Sequence, residues 1–572
     1  MKNIDLRRNK LKQEFSVWKE MTLYQRLVEA EKKYSRDIFF VSAGIEYTYS
    51  EILNAVGNVA KSLTAAGVSL GDCVACVLYN RVEFVYITFA LAKIGAVKVP
   101  INRNASLTEV LYVLKKTKSK FFITERDQDM NIGGEEMSVL KVIDVNSRFK
   151  KSEKIIPWND FMKAGEIITE EPLCLNPFAI SDIIFTSGST GAPKGVMLSH
   201  DMLLRSAFAN CLNRGFEKGR KILVPLPLFH VYGYVEGLIA VLFVGGSIFA
   251  MQGKFDPETA LEIIDQFSVQ DILCVPSIMM KILQFENLQN YSLSSLYAAY
   301  CSASVCPEWV WTEIKSKLKI KELITGYGMT EVSGASVQTD PDDDVSILLE
   351  KVGKILEGFS EDNVHLGPVI SYKVVDPITH ALKEKGQAGE LICKGTIVTK
   401  SYCEGSHKED NFTEDGWLKT GDLGFFDEEG YLRYIGRCND LYKVNGENVS
   451  PQFVDKVISE CEHVVVVETV GIPDEKLGWI GVAFIEAVSE KEVCKEKIIE
   501  YCRQNLAPYQ VPKYYFFSSS KKWPQTSTGK VQKSKLREFA KKMLEESNCE
   551  VRCANEHFSV YKTSTKYDGN KN

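Results

Sequence analysis

A glycine-rich segment with several hydroxyl groups carries the clearest chemical signal in this sequence: Ile184-Phe-Thr-Ser-Gly-Ser-Thr-Gly-Ala-Pro-Lys-Gly195. Glycine lets a backbone turn tightly and approach a ligand closely, so consecutive N–H groups can converge on phosphate oxygens. The hydroxyls would add donors, and Lys194 a mobile positive charge. A flexible Ser/Gly linker is the alternative, but the apolar residues on both sides disfavour it. The residues expected to bind phosphate are Thr186, Ser187, Gly188, Ser189, Thr190, Gly191 and Lys194.

Three further segments carry side chains that suit a nucleotide. Glu331, which ends Gly326-Tyr-Gly-Met-Thr-Glu331, could bind Mg²⁺ together with phosphate oxygens. Asp422, which ends Asp415-Gly-Trp-Leu-Lys-Thr-Gly-Asp422, could accept hydrogen bonds from two hydroxyl groups. Lys530 could reduce the repulsion between two anions that must meet at one phosphorus. Taken alone, each segment would more often be a turn or a solvated surface, and Lys521, Lys533 and Lys535 are expected to be solvated.

The glycine-rich segment lacks the Gly-Lys-Ser/Thr ending of a P-loop, so a kinase of that class is disfavoured. In their order along the chain, the four segments instead resemble the signatures of the adenylate-forming superfamily. This superfamily contains acyl- and aryl-CoA synthetases, luciferase-like enzymes and the adenylation domains of peptide synthetases. The resemblance covers about residues 20 to 540 of the chain.

The resemblance implies a role for each residue in binding ATP. Tyr327 would border the adenine, Thr330 would contact the α-phosphate, and Glu331 would bind Mg²⁺. The remaining nucleotide contacts would come from small residues against the purine and from a pair that binds the ribose: Ser302, Ala303, Asp422 and Arg437. Lys530 would bridge the substrate carboxylate and the α-phosphate during adenylation.

The resemblance also implies a small C-terminal domain that rotates between two half-reactions. Its hinge falls at Asn439, where most relatives carry Asp or Lys; Asn tolerates unusual backbone angles, which is compatible with a hinge. After rotation, Lys443 and Gly446 would reach the site, with Gly446 lining the tunnel for the pantetheine arm. Phe453 replaces a glutamate that is common in relatives, which would weaken one contact between the domains.

His230 separates the subfamilies, because it follows Phe229 where acyl-CoA synthetases carry an aromatic–His pair beside the carboxylate pocket. Amino-acid-activating domains generally have Asp there, and neutral histidine offers no charge to hold an ammonium group. The resemblance therefore implies an ATP-dependent carboxylic acid–CoA ligase that forms an acyl adenylate and releases AMP and pyrophosphate. Its acid would be a fatty or aryl carboxylate, and it would use ATP, Mg²⁺ and coenzyme A. Whether Tyr232 and Tyr234 shape the acid pocket or pack the core is left open.

Two alternatives remain at this stage. One is an acyl-AMP ligase that loads a separate acyl-carrier protein instead of free coenzyme A. The other is a catalytically inactive relative that binds a nucleotide or an acyl ligand. The joint presence of Lys194, Glu331, Asp422, Arg437 and Lys530 disfavours the inactive relative.

The composition of the 572-residue chain is that of a globular protein, with 45% hydrophobic residues and a net charge of −6. This mild charge disfavours a nucleic-acid partner. The 15 cysteines are scattered, and Cys73 and Cys76 are interpreted as small residues of a buried strand, so reduced thiols and a cytoplasmic location are expected. The longest apolar run, about Gly237 to Met251, is shorter than the ~20 residues of a spanning helix and predicts a buried helix leading into a strand.

Short β-branched runs alternate with helical patterns over the first four hundred residues or so, which predicts an α/β fold. Examples are the strand at Cys73–Leu78, the helix marked by Phe84, Ile87, Leu91 and Ile94, and the strand at Val97–Val99. We expect layered, largely parallel sheets with flanking helices in residues 1–438, because crossover connections favour parallel pairing. Residues 439–544 are expected to form a small, mobile α+β domain, and residues 545–572 a flexible tail.

Overall fold

The fold was analysed in a computed structural model, which describes residues 3–131, 140–169, 173–186, 193–403, 411–461, 464–487, 495–525, 531–548 and 559–562. The chain forms two compact units. The first comprises Met1–Tyr372, Cys393–Lys419 and Glu429–Leu432. The second comprises Lys373–Ile392, Thr420–Glu428 and Arg433–Asn572. The division at residue 439 that the sequence predicts stays a prediction.

The first unit is built around two large, mostly parallel sheets. In the described residues, the strand order of one sheet is Glu322–Ile324, Ala298–Cys301, Asp271–Cys274, Lys221–Val224, Ser247–Ala250, Ile38–Ser42 and Ile45–Thr48. The order of the other is Ile155–Pro157, Lys141–Asp144, Phe121–Thr124, Cys73–Val77, Val97–Pro100, Ile180–Thr186 and Lys194–Ser199. In each sheet only the last pair is antiparallel. The predicted α/β class with largely parallel sheets is confirmed.

Helices connect and cover these strands. Those of the first unit are Ile4–Glu14, Leu23–Tyr34, Tyr49–Ala66, Val82–Ile94, Leu107–Thr117, Trp158–Gly165, His200–Asn213, Val231–Gly233, Pro257–Phe267, Pro276–Leu283, Glu308–Glu313 and Val345–Glu350. Smaller strands follow at Gly326–Met329, Gly334–Gln338, Lys354–Ile355, Glu357–Phe359 and Leu366–Pro368. A further four-stranded sheet comprises Ile370–Val375, Gly389–Gly395, Leu418–Phe426 and Leu432–Arg437.

Local sequence explains where these helices begin and end. The helix Tyr49–Ala66 starts at Thr48, whose side chain accepts from the Glu51 N–H while the Glu51 carboxylate accepts from the Thr48 N–H, a capping box. It ends at Gly67, whose φ of 100° is readily adopted only by glycine. Its buried face repeats at helical spacing: Ile52, Val56, Val59 and Leu63.

The prediction that the longest apolar run forms a buried helix leading into a strand is confirmed. The helical chain continues from Val231–Gly233 through a π-helical stretch, Tyr234–Ile239, and a 3₁₀ turn, Ala240–Phe243, before the strand Ser247–Ala250. All of these residues are buried. Within the described ranges, we find no helix of sufficient length and hydropathy to cross a membrane.

Cysteines occupy the positions expected of small apolar residues. Cys76 is buried in the strand Cys73–Val77, and Cys73 is half-buried at its start. The cysteines that the structure describes are free thiols. Burial raises the pKa of Cys73 to about 11 and that of Cys76 to about 12, so neither thiol is ionised at neutral pH.

The second unit contains a mixed sheet with the helices Pro451–Ser459, Lys495–Asn505 and Lys533–Asn548. Its strands are Tyr442–Val444, Glu447–Val449, Val464–Asp474, Gly478–Ala487, Tyr514–Phe517 and Ser559–Lys562. Side chains alternate between two apolar clusters, as a pleated sheet requires. Ala483 and Ile485 lie in one cluster, and Val482 and Phe484 in the other.

Two described elements extend into the predicted tail, whose flexibility stays a prediction. The last described helix continues to Asn548, and Ser559–Lys562 pairs antiparallel with Tyr514–Phe517. Polar composition had suggested a loose segment, but an edge strand needs only one partner strand and can expose polar side chains. Composition therefore does not reveal this pairing, which depends on tertiary context.

A buried carboxyl group in the π-helical stretch makes stability depend on pH. Glu236 is buried, and its Oε1 accepts a 2.6 Å hydrogen bond from the Ala335 N–H. Burial raises its pKa to about 8, although the charge of Arg214 and hydrogen bonds from Ala335 and Tyr300 act in the opposite direction. The folded protein therefore holds this proton in a range where an unfolded glutamate, with a pKa of about 4.3, has released it.

We expect this group to stabilise the fold fully at low pH and to lose that contribution as pH rises through about 8. The glutamine in Glu236→Gln cannot ionise, so this variant removes the pH dependence of stability that Glu236 contributes. The free energy of unfolding of the wild type, minus that of Glu236→Gln, should fall by about 3 to 5 kcal/mol between about pH 4 and pH 9. Urea unfolding of both proteins across this range measures it, and a constant difference would contradict a buried proton.

Candidate active site

The glycine-rich segment begins and ends at paired residues of one sheet. Thr186 ends the strand Ile180–Thr186, Lys194 begins the strand Lys194–Ser199, and the two are opposite each other in the antiparallel register. The five predicted residues between them lie outside the described residues: Ser187, Gly188, Ser189, Thr190 and Gly191. The described ends therefore place the segment at one edge of a large sheet, and the roles of those five residues stay predictions.

Lys194 is held by two uncharged groups from a distant part of the chain. Its Nζ donates to Asn411 Oδ1 at 2.8 Å. The same Nζ lies 5.8 Å from the centre of the Tyr402 ring, within the range of a cation–π interaction. Sequence reasoning identified neither Asn411 nor Tyr402.

Glu331 contacts the same tyrosine, Tyr402, that lies beside Lys194. It sits in a 3₁₀ turn, Thr330–Val332, directly after the strand Gly326–Met329, and the Tyr402 hydroxyl donates to its Oε1 at 3.3 Å. Burial, with the negative charge of Glu331, raises the pKa of Tyr402 and keeps this phenol protonated as a donor. Thr330 beside it is buried. The structure thus brings Lys194 and Glu331 together through one tyrosine.

The residues predicted to border the purine are also adjacent. Ser302 follows the strand Ala298–Cys301, and its Oγ donates to the Gly326 carbonyl at 2.7 Å. Ala303 has a φ of 75°, a left-handed conformation that is uncommon for a residue with a Cβ. Tyr327 is largely buried, with its ring 6.4 Å from that of Tyr372. The hydrogen bond between Ser302 and Gly326 joins these two segments.

His230 is exposed at the start of the helical stretch that follows it. Its Nδ1 accepts from the Tyr232 N–H at 3.2 Å, which caps the short helix Val231–Gly233. Tyr232 donates its hydroxyl to the carbonyls of Cys274 and Tyr300. These contacts fix the backbone that presents the His230 ring.

Tyr234 packs in the core, which answers the question that the sequence left open for this residue. It is buried, its ring lies 3.7 Å from the Lys98 ammonium, and its hydroxyl donates to Asp182 at 3.4 Å. Lys98 and Asp182 form a buried ion pair with a 3.1 Å separation. Tyr234 therefore belongs to a buried charged cluster.

In the second unit, Asp422 and Arg437 come from the neighbouring strands Leu418–Phe426 and Leu432–Arg437. Asp422 is only 3% exposed, and its Oδ1 lies 3.4 Å from Arg437 Nε. Tyr434, which the sequence reasoning missed, donates its hydroxyl to the same oxygen at 3.3 Å. Asp422 and Tyr434 lie on neighbouring strands, so the pairing of the strands brings them together and no local pattern could have predicted the contact.

The predicted hinge and the loop after it lie on the surface of the second unit. Asn439 is exposed in a 3₁₀ turn, Cys438–Asp440, and its carbonyl accepts from Arg537 at 3.4 Å. Lys443 is exposed in the strand Tyr442–Val444. Gly446 has a φ of 88°, with open space where a Cβ would lie. Phe453 is 46% exposed on the helix Pro451–Ser459.

Of the lysines at positions 530 and 533, the structure describes the second. Lys530 lies outside the described residues, so its role stays a prediction. Lys533 was expected to be solvated, and the structure corrects this. Its Nζ lies 3.3 Å from Asp455 and 3.2 Å from Glu468, and these charges raise its pKa. Lysine-rich composition predicted a solvated helix start, whereas two acidic side chains from other elements pair with this lysine.

Known protein families match most of this chain. The AMP-binding enzyme family matches residues 27–403, and the AMP-binding enzyme C-terminal domain matches residues 454–530. The chain belongs to the AMP-binding enzyme family. It is an enzyme of the acid–thiol ligase class that forms AMP, with the α/β fold of adenylate-forming ligases.

Three relatives illustrate the similarity. The chain is 30% identical to 4-coumarate–CoA ligase CCL1 of Humulus lupulus, over 86% of this chain and 88% of that protein. It is 29% identical to the mitochondrial medium-chain acyl-CoA ligase ACSF2 of Danio rerio, over 88% of this chain and 86% of that one. The solved structure of O-succinylbenzoate coenzyme A synthetase from Bacillus subtilis, in complex with ATP and magnesium, matches with a TM-score of 0.74 and 26% identity, covering 89% of this chain and 98% of that one.

Proposed function

We propose that the protein activates a fatty or aryl carboxylic acid with ATP and transfers the acyl group to coenzyme A. In the first step, a carboxylate oxygen attacks the α-phosphorus of ATP, and the bond to pyrophosphate breaks. In the second step, the sulfur of coenzyme A attacks the acyl carbon, and AMP leaves. The observation that carries this proposal is the connected group of Lys194, Tyr402 and Glu331, which combines a cation for phosphate with a carboxylate for a metal.

The described residues suit a Mg²⁺ ion that is coordinated jointly by the protein and a bound nucleotide. Among the residues described, we find no cluster of three or more His, Cys, Asp or Glu side chains that could hold a metal alone. Magnesium usually binds through one or two carboxylates, with phosphate oxygens and water completing its shell. Glu331 would supply the carboxylate, and the ion would neutralise charge on the phosphates.

The protein's own residues would act mainly by positioning and by neutralising charge. Lys194 and Thr330 would contact the phosphates, with Thr186 and the five residues that follow it. Ser302, Ala303 and Tyr327 would border the adenine. Asp422 and Arg437 would hold the ribose hydroxyls, since a carboxylate can accept both of them.

Catalysis and thioester formation would use the remaining predicted residues. Lys530 would lie between the substrate carboxylate and the α-phosphate, and His230 would border the carboxylate. Asn439 would be the hinge between the two half-reactions, and Lys443 and Gly446 would meet coenzyme A. A cytoplasmic location and the absence of a nucleic-acid partner stay predictions from composition.

The test is pyrophosphate release from ATP with a panel of fatty and aryl acids, followed by thioester analysis. We expect release that depends on the acid, and a thioester on free coenzyme A. Thioester formation only on a purified acyl-carrier protein would favour the ligase that loads a carrier. Nucleotide binding without pyrophosphate release for any acid would favour an inactive relative and contradict the proposal.

A further inference from the structure

Tyr402 contacts the two oppositely charged residues of the candidate site in the first unit. Its hydroxyl donates to Glu331 Oε1 at 3.3 Å, and the face of its ring lies 5.8 Å from Lys194 Nζ. The two contacts use different parts of one side chain. They can therefore be removed separately by substitution.

The backbone around Tyr402 is tied to both neighbouring segments. Tyr402 forms an isolated antiparallel bridge with Val196, two residues after Lys194. The Cys403 N–H donates to the Gly195 carbonyl at 2.7 Å. On the other side, the Thr399 N–H donates to the Glu331 carbonyl, also at 2.7 Å. These bonds fix the backbone at Tyr402 relative to the segments that carry Lys194 and Glu331.

The chemistry of these contacts suits a site that must accept a metal and a phosphate. In these contacts, Asn411 and the Tyr402 ring are uncharged partners of Lys194, and the Tyr402 hydroxyl is an uncharged partner of Glu331. A direct ion pair between Lys194 and Glu331 would neutralise both groups, whereas these contacts with an uncharged tyrosine neutralise neither group. The lysine can then attract phosphate, and the carboxylate can attract a cation.

We infer that Tyr402 is a positioning residue for Mg²⁺·ATP: its hydroxyl orients Glu331 towards the metal, and its ring orients Lys194 towards the phosphates. This inference rests on the proposed function, because it assumes that these two residues bind the nucleotide. It assigns a role to a residue for which the sequence offered no local signal.

Tyr402→Phe and Tyr402→Leu separate the two contacts. The Phe variant loses the hydroxyl but keeps the ring, so the Mg²⁺ concentration that half-saturates ATP binding should rise about tenfold. Its affinity for ATP in EDTA should stay within about twofold of the wild type, since the contact to Lys194 is retained. The Leu variant should show the same change in Mg²⁺ dependence and should also bind ATP about threefold more weakly in EDTA. Equilibrium binding to the full-length protein, by calorimetry, measures each value without turnover.

Tyr431 offers a matched control in the same unit. Its hydroxyl donates to Asp343 at 2.8 Å, and the Lys351 ammonium lies 4.6 Å from the centre of its ring, so it makes the same two kinds of contact. Tyr431→Phe should leave both the Mg²⁺ dependence and the ATP affinity unchanged. If Tyr431→Phe shifts the Mg²⁺ dependence as much as Tyr402→Phe, the effect is a general loss of stability and the inference is wrong.

The outcomes distinguish this inference from the proposed function. If the wild type binds Mg²⁺·ATP and Tyr402→Phe has the same Mg²⁺ dependence, the inference is overturned and the proposed function stands. If the wild type shows no ATP binding that depends on Mg²⁺, both are overturned. The Phe variant differs by one oxygen atom, so it tests the hydroxyl even if Tyr402→Leu fails to fold.

Discussion

Replacing Lys530 with alanine should abolish acyl-adenylate formation, with a loss of about a thousandfold in the rate of that half-reaction. The substrate carboxylate and the α-phosphate are both anions, and the positive charge expected between them lowers the barrier to their approach. Thioester formation from supplied acyl-AMP should remain within about threefold of the wild type. The positive charge of Lys530 is expected to act only in the adenylation step, and supplied acyl-AMP bypasses that step. Pyrophosphate exchange measures the first half-reaction, and thioester formation from synthetic acyl-AMP measures the second.

The control for this prediction is Lys535→Ala. Lys535 is exposed on the helix Lys533–Asn548, whereas Lys533 is unsuitable because it pairs with Asp455 and Glu468. Lys535→Ala should leave both half-reactions unchanged. If Lys530→Ala reduced both half-reactions equally, a division of labour by domain rotation about Asn439 would be contradicted.

Replacing Asp422 with alanine should raise the KM for ATP by about 10- to 100-fold, with a smaller change in kcat. Asp422 is buried, and its carboxylate is oriented by Arg437 and Tyr434. Hydrogen bonds to a charged group contribute about 1.5–3 kcal/mol each, which sets this range. Steady-state kinetics with ATP as the varied substrate measures the change.

Asp427→Ala is the matched control for Asp422→Ala. Asp427 pairs with Arg433 at 3.7 Å, a carboxylate–arginine pair at the other end of the same two strands. Its removal should leave the KM for ATP within about twofold, because this pair is not expected to contact the nucleotide. Unchanged ATP dependence in Asp422→Ala would remove Asp422 from the ribose site, and an equal increase in both variants would indicate damage to the sheet.

The sequence predicted the large features of the fold because they depend on local patterns. Apolar residues at helical spacing predicted the helix that the structure places at Val82–Ile94, and the β-branched run from Cys73 predicted a buried strand. The family resemblance assigned both Asp422 and Arg437 to the ribose, a role that stays a prediction, and the structure brings the two side chains together. What composition did not reveal was which groups Ser559–Lys562 and Lys533 contact, because their partners come from elsewhere in the chain.

By itself, the sequence determined the α/β class, the adenylate-forming family and the residue types available for phosphate, metal and ribose, because these depend on order and spacing along the chain. Only the tertiary structure decided that Tyr402 and Asn411 contact Lys194, that Tyr402 also contacts Glu331, and that Tyr434 contacts Asp422. The physical reason is that side-chain contacts between distant segments depend on strand pairing, and pairing buries groups according to their three-dimensional neighbours. No local pattern around Tyr402 contains that information.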